Sequence, residues 1–510
     1  MVIDNSTNRL VTKHDLTQLS ILLTIALGIG VYLIATTVLI AKDGVSYIEQ
    51  AQQFPTAPIR TIKYPVPFGY PFLIFIAHKL FALFNNSPSV YAWVYPAQVA
   101  NLLFRILALI PLYFIGKALV GSRNSFWALL ILMFLPYPAQ FGSDVLRDWP
   151  HMMFLAAGFL FLLWGGNQGV WWMFGITGLA TGLGYFIRPE CGQLIVYGIA
   201  WLTYCFVRPT RTMNRSRTTL AVVLLLLGFM IPVGPYAKIR GDILPHKARR
   251  LINSFSFDGQ RNESKELDTC AGEQLAKKYL AGHSKLFAKA FYNIYKDIGE
   301  SLMWIFAIPW LIGIFQYFRA SHTNKGKFLM LAFIGANMAL LVLRATHFDK
   351  AISKRYVLPL IAFTIFYIPI GLEILSCKIS RRKRGDTPSG FQKQMWFHAL
   401  IIIGLCVCMP KLFRPIGADK FGYKRAAEWL NKNTSRDIIV AVPDRRISFY
   451  AERTGMMYKE TPPGQATYIV KIVSNENIEE SADKGVQEKF SVRVDKRKKN
   501  GKKLVIYKVL

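Results

Sequence analysis

Long uncharged runs alternate with short basic loops along the first four-fifths of the chain, and the alternation stops near residue 411. The apolar runs lie at 17–40, 93–115, 125–142, 151–165, 170–187, 191–207, 218–236, 301–318, 328–344, 356–376 and 396–411. Most approach or exceed the length that crosses a bilayer, so the pattern predicts about eleven transmembrane helices. The fold class expected is an α-helical polytopic membrane protein with a small C-terminal α/β domain. Its two parts are 1–411 and 412–510. In the second part Lys424–Leu430 reads as an amphipathic helix and Asp437–Pro443 as a buried strand. Ile447–Arg453 reads as a short helix. Ala466–Val473 and Val492–Val509 read as strands, the latter folded back across Lys499-Asn500-Gly501-Lys502. That region holds no Gly-rich phosphate loop and no nucleophile motif.

Composition supports this division. Hydrophobic residues make up 52% of the chain, and the mean hydropathy is +0.28. The net charge of +32 does not point to nucleic acid, because much of the excess sits in short loops. With the N-terminus in the cytoplasm, the clusters Lys117 and Arg123, Arg208 to Arg217, Arg319 to Lys327, and Lys378 to Lys393 all fall inside. That distribution is what the positive-inside rule requires. The first run lacks a cleavage site with small residues and is read as a retained span. Six cysteines show neither metal-ligand spacing nor a disulfide framework.

The polar residues that stand out lie at outer span ends. Asp43 ends the first span in Ala41-Lys42-Asp43-Gly44-Val45-Ser46-Tyr47-Ile48-Glu49. Ser46 and Glu49 have capping-box spacing, which predicts a helix starting at Ser46 and a turn at Asp43-Gly44. A carboxylate there is placed to take a proton from an acceptor at the membrane surface. The loop that follows carries Arg60 and Lys63-Tyr64-Pro65-Val66-Pro67-Phe68-Gly69-Tyr70-Pro71. Later come Ser143-Asp144-Val145-Leu146-Arg147-Asp148-Trp149-Pro150, Gly178 to Glu190 with Arg188-Pro189, and Lys354-Arg355-Tyr356-Val357-Leu358-Pro359. Each has a bland reading. Lys63, Arg188 and Arg355 fit interfacial snorkelling, Asp148 fits a helix cap or a partner of Arg147, and Tyr64, Tyr70 and Trp149 fit an aromatic belt. Arg105 lies inside the second span with no partner evident from sequence.

Taken in order, these motifs resemble the GT-C superfamily of membrane glycosyltransferases, closest to its protein-mannosyltransferase and aminoarabinose-transferase type. The likeness rests on the acidic residue after the first span and the Gly69-Tyr70-Pro71 stretch. It continues through Gly178-Leu179…Gly182-Leu183…Arg188-Pro189, Arg355-Tyr356…Pro359, and Ala426-Ala427-Glu428-Trp429-Leu430. It covers most of the chain. It departs from the pattern at Gly44, where some members have a second acidic residue after the first.

The resemblance implies transfer of a sugar, with inversion, from a polyprenyl-phosphate donor to a glycolipid, polysaccharide or protein acceptor at the extracytoplasmic face. Asp43 would be the general base, and Asp148 a second acidic residue orienting acceptor or sugar. Lys63, Arg188 and Arg355 would face the departing phosphate, with Tyr64, Tyr70 and Tyr356 beside the substrates. No cofactor is expected; a divalent ion would want paired outer carboxylates, and Asp43 with Asp148 is the pair that could meet to hold one. The expected location is a bacterial-type inner or plasma membrane, with the site and the C-terminal domain outside. The competing reading is a transporter or flippase of lipid-linked sugars. It would show mid-membrane ionisable groups and inverted repeats, and only Arg105 favours it.

Overall fold

The computed structural model describes residues 11–85, 87–209, 213–243, 286–320, 325–347, 353–382, 390–458, 462–473, 486–495, 497 and 501–510. Expectations placed on Arg211, Cys270, Asp349, Lys350, Lys383, Arg384, Lys499 and Asn500 lie outside the described residues.

The helices, in chain order, are α1 (Lys13–Ala35), α2 (Lys42–Gln52), α3 (Pro58–Lys63), α4 (Gly69–Ala82), α5 (Tyr91–Val120), α6 (Ser122–Phe134), α7 (Pro136–Phe141), α8 (Asp148–Gln168), α9 (Met173–Tyr185), α10 (Gln193–Val207) and α11 (Arg215–Arg240). They continue with α12 over 286–301, then α13 (Ala307–Arg319), α14 (Lys325–His347), α15 (Leu358–Thr364), α16 (Tyr367–Arg382), α17 (Gly390–Leu412), α18 (Phe421–Asn433) and α19 (Arg445–Ala451).

Among the described residues, seven helices are long and apolar enough to cross a membrane, and an eighth span is counted if the pair Lys354–Thr364 and Tyr367–Ser380, bent by 66°, is one crossing. The other three predicted runs are helical but broken or short. The run at 125–142 divides at Leu135 into α6 and α7, because Pro136 and Pro138 remove two backbone donors. α9 and α13 have 13 residues each, which span only ~20 Å against a hydrocarbon core of ~30 Å. α13 is preceded by a turn in which Met303 and Trp304 take positive φ.

Both short helices are locked to longer neighbours by glycine. A Cβ on Gly178 would collide with the Leu225 carbonyl, and one on Gly228 with the Gly175 carbonyl, so α9 and α11 touch backbone to backbone. α13 and α16 do the same through Gly313 against Tyr367 and Gly371 against Pro309. Such small-residue contacts are how helices pack closely where lipid removes the hydrophobic drive.

After α17 the chain forms a five-stranded mixed sheet: β1 (Ile439–Val442), β2 (Thr454–Met457), β3 (Tyr468–Val473), β4 (Val486–Arg493) and β5 (Lys503–Val509). The strand order is β2-β1-β3-β5-β4. β1 is parallel to β2 and β3, while β5 is antiparallel to β3 and β4. β2 is an addition to the sequence reading, and the strand expected from Val492 starts at Val486.

The sheet's core does not stop at the sheet. Val440, Val442, Val470, Leu504 and Ile506 join Ala426, Ala427 and Leu430 of α18 and Ile447 and Tyr450 of α19 in one apolar cluster. The same cluster continues through Leu39, Ile40, Val45, Ile48, Tyr70 and Val145. The C-terminal sheet therefore rests on the segment that carries Asp43.

Candidate active site

Asp43 stands in the first turn of α2, not in a turn ahead of it. The helix begins at Lys42, its N-cap Ala41 makes no side-chain cap, and Ser46 is four residues inside. The expected capping box does not form, because tertiary contacts hold this end. The Ala41 N–H donates to Asp144 Oδ1 at 2.9 Å, and Glu49 reaches Arg445 at 2.7 Å. Gly44 is needed here, since a Cβ would lie 2.9 Å from Val145. The Asp43 side chain is 44% exposed and pairs with Arg355 Nη2 at 2.5 Å.

A second ion pair lies deeper. Arg188 Nη1 is 3.0 Å from Asp148 Oδ1, and both side chains are almost fully buried. Burial pulls the Arg188 guanidinium down, but Asp148, Glu190 and other neighbours hold it above its ordinary value. Arg147 is not the partner of Asp148. It donates to the Ile187 carbonyl at 3.3 Å and lies 5.9 Å from the Tyr47 ring centre. The Tyr356 ring joins the two pairs, with guanidinium carbons 3.4 Å away from Arg344, 5.3 Å from Arg188 and 5.5 Å from Arg355. Asp43, Asp148, Arg188, Arg355 and Tyr356 thus form one cluster built from α2, α8, the α9–α10 joint and the turn before α15. Cation–π contacts and paired charges hold it.

The loop between α7 and α8 is fixed from below. Gln98 donates to the Ser143 carbonyl at 2.9 Å, and Asn101 donates to the Phe141 and Asp144 carbonyls at 2.8 and 2.6 Å. One turn further along α5, the fully buried Arg105 points its donors at the Met133 and Ala139 carbonyls, 3.4 and 3.5 Å away. Its guanidinium carbon is 5.9 Å from the Trp149 ring centre. These carbonyls lie on either side of the α6–α7 break, so Arg105 bridges it.

Beside Arg355 a cavity of about 440 Å³ opens, lined among others by Ala41, Tyr137, Asp144, Arg355, Lys411 and Arg414. Lys354 donates to Tyr137 Oη at 2.7 Å and also pairs with Glu300. Lys411 stands 4.2 Å from the same ring centre. Burial carries the Asp144 carboxyl up to about 6, against the Ala41 and Val145 N–H groups that pull it down.

The other sequence choices stand apart from the cluster. Lys63 ends α3 and is exposed, as is Tyr64, and neither has a side-chain partner among the described residues. Tyr70 has no exposed surface, and its ring stands edge-on to Tyr47 at 5.2 Å. A stacking partner for sugar needs an open face, so Tyr70 serves the floor under α2. The residues that sequence reading missed are Asp144, Tyr47, Arg344 and Arg446. Only Asp144, four positions before Asp148 in the same loop, carried a local signal.

Among the described residues no three acidic, histidine or cysteine side chains converge as a metal set would. The two carboxylates nearest to such a role, Asp43 and Asp148, each face a guanidinium instead. These residues do not fit a divalent ion.

Comparison with known proteins places this arrangement. Residues 66–236 match the family model described as dolichyl-phosphate-mannose-protein mannosyltransferase. The oligosaccharyltransferase of Archaeoglobus fulgidus, solved with a tethered acceptor peptide, is similar at 12% identity and a TM-score of 0.58, over 90% of this chain and 69% of that one. ArnT from Cupriavidus metallidurans in the apo state is similar at 13% identity and a TM-score of 0.54, over 97% of this chain and 98% of that one. The same ArnT bound to undecaprenyl phosphate matches at 13% identity and 0.52, over 96% and 97%. No curated protein matches. The chain has the fold of the GT-C membrane glycosyltransferases and is an integral membrane protein.

Proposed function

We propose that the chain transfers a sugar from a polyprenyl-phosphate donor to an acceptor hydroxyl, with Asp43 as general base. The observation that carries this reading is the half-exposed Asp43 carboxylate held by Arg355, which also lines the cavity with Lys411 and Arg414. An Asp43 oxygen takes the acceptor proton as the acceptor oxygen bonds to the anomeric carbon from the face opposite the phosphate. The bond from that carbon to the phosphate oxygen breaks, its electron pair leaves with the lipid phosphate, and the configuration inverts. Arg355 meets the charge that develops there. In the resting site Arg355 lies on Asp43, so an arriving donor phosphate competes for it. Drawing Arg355 away frees the Asp43 carboxylate oxygen for the acceptor hydroxyl once the donor is bound.

Support for a lipid-phosphate donor comes from two structural neighbours. The Archaeoglobus fulgidus enzyme has been solved with a dolichol-phosphate, and ArnT with undecaprenyl phosphate. The basic loop ends at Lys117, Arg123, Arg208 and Arg215 support a cytoplasmic side opposite the site. The acceptor is a hydroxyl on a glycolipid, polysaccharide or protein. Transport has lost its one sequence argument, because Arg105 serves backbone carbonyls at the helix break. The test is reconstitution in liposomes with a polyprenyl-phosphate sugar. Turnover of donor to free polyprenyl phosphate, dependent on acceptor, is expected. Movement of intact donor across the bilayer without cleavage refutes the proposal.

A further inference from the structure

One peptide unit, Ile40–Ala41, two residues before Asp43, is gripped on both of its polar atoms. Its N–H, on Ala41, donates to Asp144 Oδ1 at 2.9 Å. Its carbonyl, on Ile40, accepts from Arg446 Nη1 at 3.2 Å. Both side chains are buried. Arg446 is itself locked by Asp444, with Nε to Oδ1 at 2.9 Å and Nη2 to Oδ2 at 2.8 Å. The Ile40 N–H meets Tyr450 Oη at 3.4 Å, and the Val38 N–H donates to the Ile416 carbonyl at 2.9 Å. Gly417, at φ 72°, sits against Leu39 so closely that a Cβ would collide with the Leu39 carbonyl.

Three of these partners, Arg446, Tyr450 and Ile416, come from the chain after the last span. A bidentate arginine–carboxylate pair fixes the guanidinium plane and leaves its remaining donor in one direction, and that direction is the Ile40 carbonyl. A helix whose first residue has no side-chain cap depends on such outside contacts for its entry angle.

From this we propose that the C-terminal domain works as part of the active site, with Arg446 as a positioning residue that aims Asp43 through the Ile40–Ala41 peptide. Asp144 is its counterpart from the membrane domain. The inference rests on Asp43 being the base. Its consequence is that the domain sets the rate of transfer through Arg446, a residue that touches neither substrate.

The test uses the full-length protein in liposomes. Asp444→Asn/Arg446→Met removes both charges together, so that no lone carboxylate stays buried. Ile506→Val, in the same sheet core, serves as the control for domain stability alone. The double variant should lose about tenfold to a hundredfold in kcat, the scale of a misplaced catalytic group, while KM for the donor stays within about twofold. Ile506→Val should keep kcat. A readout independent of turnover is the maleimide reactivity of Asp43→Cys, which should change several-fold when the Asp444/Arg446 pair is removed and not with Ile506→Val. Normal kcat in the double variant, or an unchanged thiol rate, overturns the proposal. If Asp43→Asn itself transfers normally, the base assignment fails first and this proposal falls with it. A lost kcat with Asp43→Asn inactive and an altered thiol rate supports both.

Discussion

The two aspartates of the site should fail in different ways when each is changed to asparagine. Asp43 is 44% exposed, and its partner Arg355 is 21% exposed. A pair this wet contributes ~0–1 kcal/mol to stability, and asparagine still offers Arg355 a carbonyl acceptor. Asp43→Asn should therefore fold and insert as the parent does, and bind donor at least as tightly, because a carboxylate no longer competes with the phosphate for Arg355. It cannot accept the proton, and loss of a positioned base costs ~10²–10⁴ in rate, or about 3–5 kcal/mol in the barrier. Asp148 is 1% exposed and Arg188 4%. Removing that carboxylate leaves a guanidinium buried without its counter-charge, and breaking a buried pair this way costs ~3–5 kcal/mol of stability. Asp148→Asn should thus show a lower melting temperature in detergent and lose donor binding and transfer together. Three measurements on one preparation separate the cases: thermal melting, donor binding, and transfer from a polyprenyl-phosphate sugar. Near-normal transfer by Asp43→Asn removes the base assignment. An Asp148→Asn protein that melts with the parent refutes the claim that its pair with Arg188 bears on the fold.

Asp144 gives a pH-dependent outcome. Its folded carboxyl sits at about 6, well above the ordinary 3.8 of an aspartate, so the fold holds this proton more tightly than the unfolded chain does. Its contribution is greatest below about pH 4 and is lost as pH rises to about 6; Asp144→Asn should gain on the parent across that window by up to ~3 kcal/mol and then run level, and parallel melting curves from pH 4 to 7 would contradict this. Lys63→Ala should weaken donor binding and Lys63→Arg less so, whereas unchanged affinity in both returns Lys63 to the membrane interface. In a cysteine-free background, Lys432→Cys on exposed α18 should react with an impermeant maleimide in intact cells; reaction only after permeabilisation places the site on the wrong side.

Apolar runs located the long spans because burial in lipid is a property of single runs of chain, but α3 and α4 lie in what reads as the first outer loop. The same runs did not reveal where helices break. Breaks depend on Pro136 and Pro138 with Arg105 behind them, and on glycine faces whose partners lie many residues away. The capping-box reading at Ser46 and Glu49 failed for a related reason. Local spacing was right, but Asp144 and Arg445 offered stronger partners from elsewhere. In the site, charge at the outer span ends was enough to single out Asp43, Arg188 and Arg355. Their pairing, Asp43 with Arg355 and Asp148 with Arg188, exists only once four elements converge. Arg446 left no trace, since Asp444-Arg445-Arg446 reads as any solvated turn of a soluble domain.

The glycine locks between helices also impose an order on biogenesis. α9 meets α11 as soon as residue 240 has left the ribosome, so that pair can close early. α13 faces a different schedule. Its lock is on α16, and α14 and α15 must be made before that helix exists. Until then α13, too short to hold a transmembrane position by its own length, exposes its Gly313 face to lipid or to the insertion machinery. The late half of the membrane domain is therefore where nascent chains should linger, and where substitutions at Gly313 or Gly371 should lower yield before they lower activity.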